Sequence, residues 1–337
     1  MGESVWQEDL LGGGFQQLTL PLGTDGEGDV VATLVRHRPP LGDLVSPFAP
    51  ARGTDVLYVH GWSDYFFQTG LAEYWQAAGA RFYALDLRKY GRSLRDYQTP
   101  GYVADLATYD ADIEAALAVM GHGADADRPS RRRLLLMGHS TGGLTLSLWA
   151  ARHSGRASAL VLNSPWLEFQ AGGVGRAFLA PLVQLGARVQ PLGTLPQVDL
   201  GFYSRSVSHA LGGEWDYAPQ WRPQRGFPAH QAWLNAVLEG HATVAAGLDI
   251  DAPVLVLLSK RSTILPRWSE QMRSSDSVLV VDEIARAAVR LGSTVTISRI
   301  EGALHDVVLS AEPARKAAYA SLTRWLRAYA PSTSRDL

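Results

Sequence analysis

The chain has 337 residues and 46% of them are hydrophobic, so it can bury a large core as one α/β domain or as a domain with an insertion. The net charge is −2 and the basic residues are scattered, which argues against a nucleic-acid partner. There is no cysteine, which excludes disulfides, thiolate catalysis and thiolate metal sites. Because no secretory signal and no run of membrane-spanning length is found, we expect a soluble, cytoplasmic protein without an integral membrane segment.

Strand and helix patterns alternate through the first part of the chain. Residues 15–22 and 30–38 predict two strands joined by a polar turn, as in a hairpin. Residues 56–59 are wholly apolar, which is typical of a strand buried on both faces of a parallel sheet. A helix over 71–78, a strand over 81–85 and a helix over 104–120 follow. Short connections between such elements predict a parallel sheet with right-handed crossovers.

Residues 133–143, RLLLMGHSTGG, predict a strand, a sharp turn and the start of a helix. Ser140 lies at the tip of the turn, between Gly138 and Gly142. A backbone forced near left-handed torsion angles leaves no room for side chains two residues on either side, and it lifts the serine hydroxyl clear of the sheet. We interpret Ser140 as a nucleophile; the alternative is a glycine-rich turn with an idle serine.

The repeating pattern stops after a strand over 159–162. Residues 166–250 are rich in aromatic residues, glycine and proline, and only 177–189 and 231–239 look helical. Two adjacent strands do not need so long a connection, which predicts an inserted cap over 166–250 between core parts 1–165 and 251–337. The pattern then resumes, with strands over 253–258 and 294–300 and helices over 282–291 and 313–329.

A serine nucleophile requires a histidine base and a carboxylate that orients it, in the chain order serine, acid, histidine for this arrangement. His305 alone lies beyond the last strand, in a loop that can return over Ser140. We expect His139 to point away from the site and His60 to order its own loop. The other histidines look surface-like and are expected to be structural or solvated: His37, His122, His153, His209, His230 and His241.

The acid is harder to place, because the residues directly after the strand 253–258 are SKRS and include no carboxylate. The next candidates are Glu270, Asp276, Asp282 and Glu283. Asp282 and Glu283 look like first-turn acids of a helix, placed there by its dipole. Glu168, beyond an earlier strand, is an outside possibility.

Four motifs together resemble the α/β-hydrolase superfamily, specifically its monoacylglycerol lipase and lysophospholipase branch, often labelled serine aminopeptidase-like. They are GHSTGG at 138–143, HGW at 60–62, a loop over 86–93 that ends in Gly-x-Ser, and HD at 305–306. The resemblance covers nearly the whole chain. It implies an α/β-hydrolase fold with a mostly parallel eight-stranded sheet, flanking helices and an inserted cap.

The same resemblance implies a triad of Ser140, His305 and Asp276, because the acid of that branch precedes the histidine by about 30 residues and Asp276 precedes His305 by 29. Asp282 is the second choice, since residues 259–274 look like an insertion in the acid loop. The backbone N–H groups of Trp62 and Thr141 would form the oxyanion hole. The Trp62 and Trp166 side chains would line the substrate pocket.

These inferences predict a serine carboxylic-ester hydrolase that works through an acyl-enzyme on a small acyl ester such as a monoglyceride or lysophospholipid, without cofactor or metal. Three alternatives remain open. A peptidase that trims N-terminal residues would need a carboxylate in the cap, for which Glu214 or Glu239 could serve. A hydrolase of carbon–carbon bonds would use the same triad, and a silent binding protein could share the fold.

Overall fold

One nine-stranded sheet organises the computed structural model, which describes residues 5–38, 46, 48–124, 129–169, 172–196 and 199–329. The predicted domain bounds at residues 1 and 337 lie outside these ranges. The strands are β1 (Gln7–Glu8), β2 (Phe15–Asp25), β3 (Gly28–His37), β4 (Thr54–Val59), β5 (Arg81–Asp86), β6 (Arg133–His139), β7 (Ala159–Asn163), β8 (Val254–Ser259) and β9 (Val295–Ile300).

The sheet is mostly parallel, as the sequence predicts. Its strand order is β1-β2-β3-β5-β4-β6-β7-β8-β9. The six strands from β5 to β9 in this order are parallel to one another, whereas β3 pairs antiparallel with both β2 and β5. The expected number of strands was eight, and β1 is the addition. With only two residues, β1 carries no alternation that a sequence pattern could show.

Helices flank the sheet and most begin and end close to the predicted positions. The exceptions are α2, which starts five residues later than predicted, α4, which starts earlier, α6, which continues further, and α5, which was not predicted. They are α1 (Thr69–Ala77), α2 (Tyr109–Met120), α3 (Thr141–Arg152), α4 (Gly172–Val189), α5 (Phe202–Val207), α6 (Gln231–Ala246), α7 (Val281–Ala288) and α8 (Glu312–Tyr329). In the part of the chain that the structure describes, no helix is long and apolar enough to cross a membrane.

The core lies on both faces of the sheet, because successive residues of the central strands point to opposite sides. Leu57 and Leu136 pack on the face that holds Trp149 of α3. Tyr58 and Leu135, their neighbours in sequence, pack on the face that holds Trp75 of α1. All residues of β4 and β8 are buried, which explains why these strands are almost continuous apolar runs.

The chain between β7 and β8 holds α4, α5 and α6, and we call residues 166–250 the β7–β8 segment. Its α6 packs closely on the core, since a Cβ added at Gly240 would lie 3.1 Å from Leu148 and 3.3 Å from Leu144 of α3. The carboxyl ends of the parallel strands meet at one edge of the sheet. The loops that follow β4, β6, β7, β8 and β9 therefore converge beside this segment.

Candidate active site

Ser140 occupies a strained turn between β6 and α3. Its φ of 51° and ψ of −118° are unusual for a residue with a side chain. A Cβ at Gly138 would come within 2.6 Å of the Gly142 carbonyl oxygen, and one at Gly142 would overlap the His60 carbonyl oxygen. The strained torsion thus belongs to the serine, while the two glycines are required by the close approach of neighbouring backbone.

His305 and Asp276 are hydrogen-bonded in the interior. Asp276 Oδ2 lies 3.0 Å from His305 Nδ1, and the residues are 0% and 3% exposed, respectively. The other carboxylate oxygen of Asp276 accepts the backbone N–H groups of Val278 at 2.7 Å and Leu279 at 2.8 Å. Both oxygens are therefore fixed, and the imidazole keeps its Nε2 for a different partner.

The chain between β8 and Asp276 leaves the end of the strand and returns to it. Asp276 N–H donates to the Arg261 carbonyl at 3.0 Å, and Thr263 N–H donates to the Asp276 carbonyl at 2.8 Å. Residues 263–275 are therefore an excursion that brings Asp276 back beside the end of β8. The other candidates are engaged elsewhere: Asp282 is exposed and pairs with Arg299 at 2.6 Å, and Glu168 accepts the N–H of its neighbour Phe169.

The HGW loop is packed directly on the serine turn. A Cβ added at Gly61 would lie 3.0 Å from Ser140 Cβ. His60 orders this loop, since its Nδ1 donates to the Gly61 carbonyl at 2.7 Å and its Nε2 accepts Leu87 N–H at 3.1 Å. Burial lowers the pKa of His60, which keeps it neutral. Within the described ranges, the backbone N–H groups of Trp62 and Thr141 donate to no protein acceptor.

Aromatic side chains from the β7–β8 segment lie next to the HGW loop. The ring centroids of Trp62 and Trp233 are 3.7 Å apart, those of Trp233 and Trp166 are 6.2 Å apart, and those of Trp62 and Phe227 are 6.4 Å apart. The backbone N–H of Trp166 also donates to the backbone carbonyl of Ser140 at 3.0 Å. Trp62 and Trp166 are thus part of one aromatic cluster beside the serine.

The positions expected for three histidines are wrong. His139 does not point away from the site, because its ring centroid lies 4.9 Å from that of His305 and its Nδ1 lies 3.1 Å from the Asn163 carbonyl. Burial, together with the nearby His305, lowers the pKa of His139 to about 4 against the opposing effect of Asp306. His230 and His241 are not at the surface: they are 7% and 0% exposed.

Sequence reasoning missed several residues around the site. Arg222 of the β7–β8 segment forms a buried ion pair with Asp64, with Nε 3.0 Å from Oδ1. The Tyr203 ring meets the His305 ring edge-on, with centroids 5.4 Å apart. These two lie in a stretch without periodicity, which gave no signal. Asn163, a polar residue that ends an apolar strand, did carry a signal and hydrogen-bonds to both sides of the site.

The two carboxylates considered for a peptidase lie at the surface. Glu214 is half-exposed and pairs with Arg315 at 3.3 Å. Glu239 is exposed on α6 and accepts a hydrogen bond from Asn235 at 2.9 Å. Each carboxylate is therefore solvated and already has a partner in the protein.

Comparisons with known proteins agree with this architecture. A relative from Mycolicibacterium smegmatis named monoacylglycerol lipase is 27% identical over 285 residues, which cover 84% of this chain and 91% of the relative. The crystal structure of a Paleococcus ferrophilus monoacylglycerol lipase has a TM-score of 0.60 at 20% identity and covers 82% of this chain and 94% of its own.

A soluble variant of the Saccharomyces cerevisiae monoglyceride lipase, in complex with a substrate analogue, has a TM-score of 0.63 at 14% identity, and the match covers 97% of this chain and 95% of that one. At such identities these structures establish the shared fold. The sequence profile of the family described as "Serine aminopeptidase, S33" matches residues 50–312. The chain therefore belongs to this family of hydrolases and has the α/β-hydrolase fold.

Proposed function

We propose that the protein is a serine carboxylic-ester hydrolase, with residues 166–250 as a cap over the core parts 1–165 and 251–337. The observation that carries the proposal is the buried 3.0 Å contact between His305 Nδ1 and Asp276 Oδ2, beside a serine held in a strained turn. A carboxylate on Nδ1 selects the tautomer in which Nε2 can take a proton from a hydroxyl.

The chemistry would proceed in two halves. His305 Nε2 takes the proton of Ser140 as Oγ attacks the ester carbonyl carbon, and the resulting imidazolium is stabilised by Asp276. The tetrahedral oxyanion accepts hydrogen bonds from the Trp62 and Thr141 N–H groups, which have no protein acceptor within the described residues. His305 then protonates the departing alcohol. Water, activated by the same histidine, releases the acid from the acyl-enzyme.

An apolar acyl chain fits the surroundings best. Trp62, Trp166 and Trp233 form an aromatic cluster beside the serine, and aromatic walls with few polar groups are typical of sites for apolar ligands. The named relatives are monoacylglycerol lipases, which supports esters of the monoacylglycerol or lysophospholipid type as substrates. None of the steps above requires a cofactor or a metal.

Two families of chromogenic substrates test the proposal against a peptidase. The purified protein and its Ser140→Ala variant are each assayed on 4-nitrophenyl esters of graded acyl length and on aminoacyl 4-nitroanilides. We expect ester hydrolysis that depends on Ser140 and no more than background release from the anilides. A kcat/KM for any aminoacyl anilide above that for the best ester would replace the esterase proposal with a peptidase.

A further inference from the structure

Asn163 connects the serine turn to the histidine loop. It is the last residue of β7 and is fully buried. Its carbonyl oxygen lies 3.1 Å from Ser140 N and 3.1 Å from His139 Nδ1. Its side-chain Nδ2 donates to Asp306 Oδ1 at 2.6 Å, while its Oδ1 accepts Val307 N–H at 3.1 Å. The backbone carbonyl of Asn163 is thus hydrogen-bonded to the serine turn, and its side chain is hydrogen-bonded to the loop that carries His305.

Asp306 extends this connection to a third loop. The carboxylate is fully buried, and its Oδ1 also accepts Val308 N–H at 3.0 Å. Its Oδ2 accepts Gln68 Nε2 at 3.3 Å, and Gln68 closes the loop that starts with the HGW motif. Hydrogen bonds to an ionised acceptor are roughly twice as strong as neutral ones. Asp306 therefore holds His305, its neighbour in the chain, against both Asn163 and Gln68.

The arrangement matters because Ser140 and His305 come from different strands. The serine follows β6, and the histidine follows β9 at the far edge of the sheet. Among the described residues, only Asn163 is hydrogen-bonded both to Ser140 and to a residue of 305–307. Asp276 fixes the rotation of the imidazole but, within the described residues, is hydrogen-bonded neither to Ser140 nor to its turn.

We propose that Asn163 is a positioning residue, which sets the separation of Ser140 and His305 through Asp306. The inference rests on the proposed function, since it gives that separation a catalytic purpose. A misplacement of about 1 Å between reacting groups can cost about 100-fold in rate without weakening substrate binding. The expected signature of losing Asn163 is therefore a lower kcat at an unchanged KM.

The test compares Asn163→Ala with Ser164→Ala on a 4-nitrophenyl ester. Ser164 is the adjacent residue and is equally buried, and its hydroxyl has no hydrogen-bond partner among the residues that the structure describes, so its loss leaves the network intact. Reactive sites are counted with a fluorophosphonate probe, so that kcat refers to folded enzyme alone. We expect Asn163→Ala to lose about 100-fold in kcat per reactive site with KM within about threefold, and Ser164→Ala to stay near wild type.

A second pair of variants covers the case in which Asn163→Ala does not fold. Asn163→Asp places two carboxylates against each other, and adding Asp306→Asn restores one amide-to-carboxylate hydrogen bond of the original size. We expect the double variant to recover at least tenfold of the kcat that Asn163→Asp loses. A kcat per site within about twofold of wild type for Asn163→Ala, or no recovery in the exchange, would overturn the inference. Ester hydrolysis that survives Ser140→Ala would instead remove the proposed function.

Discussion

The Asp276 carboxylate lies 3.0 Å from His305 Nδ1 although the chain leaves the end of β8 and makes the excursion 263–275 before it reaches this acid. Two backbone bonds close the excursion, from Asp276 N–H to the Arg261 carbonyl and from Thr263 N–H to the Asp276 carbonyl, and they hold Asp276 beside the end of β8. The position of the acid therefore depends on the pairing of the two ends of this excursion.

Two isosteric substitutions test whether Asp276 or Asp282 is the carboxylate that orients His305. Asp276→Asn should lower kcat by about 10³- to 10⁴-fold, because an amide can hold the wrong imidazole tautomer and cannot stabilise its charge. Asp282→Asn should leave kcat nearly unchanged, since Asp282 is exposed and only pairs with Arg299. Steady-state ester kinetics on both variants, with thermal unfolding as a check, decide this. Equal losses in the two variants would contradict the assignment.

Sequence patterns predicted the parts of the fold in which burial is periodic. The central strands β4 and β8 are almost continuous apolar runs, and the serine turn has glycines where neighbouring backbone approaches, so both could be predicted directly from the sequence. The acid was predicted mainly from family spacing, because the local pattern offered only that Asp282 lies in the first turn of a helix.

The residues that sequence reasoning missed act through contacts between distant segments. Arg222 meets Asp64 across the interface of the β7–β8 segment and the core, and no pattern within either stretch signals the pair. The start of α4 was placed too late because Gly172, Gly173 and Gly175 have low helix propensity, although the helix includes them.

The Asp64–Arg222 pair should stabilise the contact between the β7–β8 segment and the core. Both side chains are 4% exposed, so removing one partner leaves a buried charge. Burial raises the pKa of Asp64 to about 7 although Arg222 opposes the shift, so without Arg222 the pKa rises further and the carboxyl takes up a proton more readily. We expect Arg222→Met to lower the free energy of unfolding by up to about 3 to 5 kcal/mol where Asp64 stays ionised, and by less at pH values where it is protonated.

Denaturant unfolding of Arg222→Met is compared with the double variant Asp64→Asn with Arg222→Met, which has no unpaired charge. The double variant should be the more stable of the two. If Arg222→Met lost less than about 1 kcal/mol, the pair would not be holding the segment.

His139 predicts a specific dependence of stability on pH. Its pKa is lowered to about 4 by burial, from 6.5 in the unfolded chain. Between these pH values the unfolded chain carries a proton that the folded protein does not, so the free energy of unfolding falls as the pH falls, by up to about 3 kcal/mol.

His139→Gln should remove this pH-dependent part of the free energy of unfolding. The other buried groups are the same in the variant and in the wild type, so they contribute equally to both. Unfolding midpoints measured from pH 7 to pH 4 should therefore decline less steeply for the variant than for the wild type. Parallel curves would show that His139 is protonated in the folded protein as readily as in the unfolded chain.

Ser140→Ala tests the central claim, that this serine is the nucleophile, most directly. The substitution removes one hydroxyl at a turn and opens no cavity in the core, so the variant should unfold at the same temperature as the wild type. The measurement is kcat/KM on the best 4-nitrophenyl ester, with fluorophosphonate labelling of both proteins. The account predicts a loss of at least about 10³-fold and no labelling of the variant. Turnover above about one tenth of wild type would contradict it.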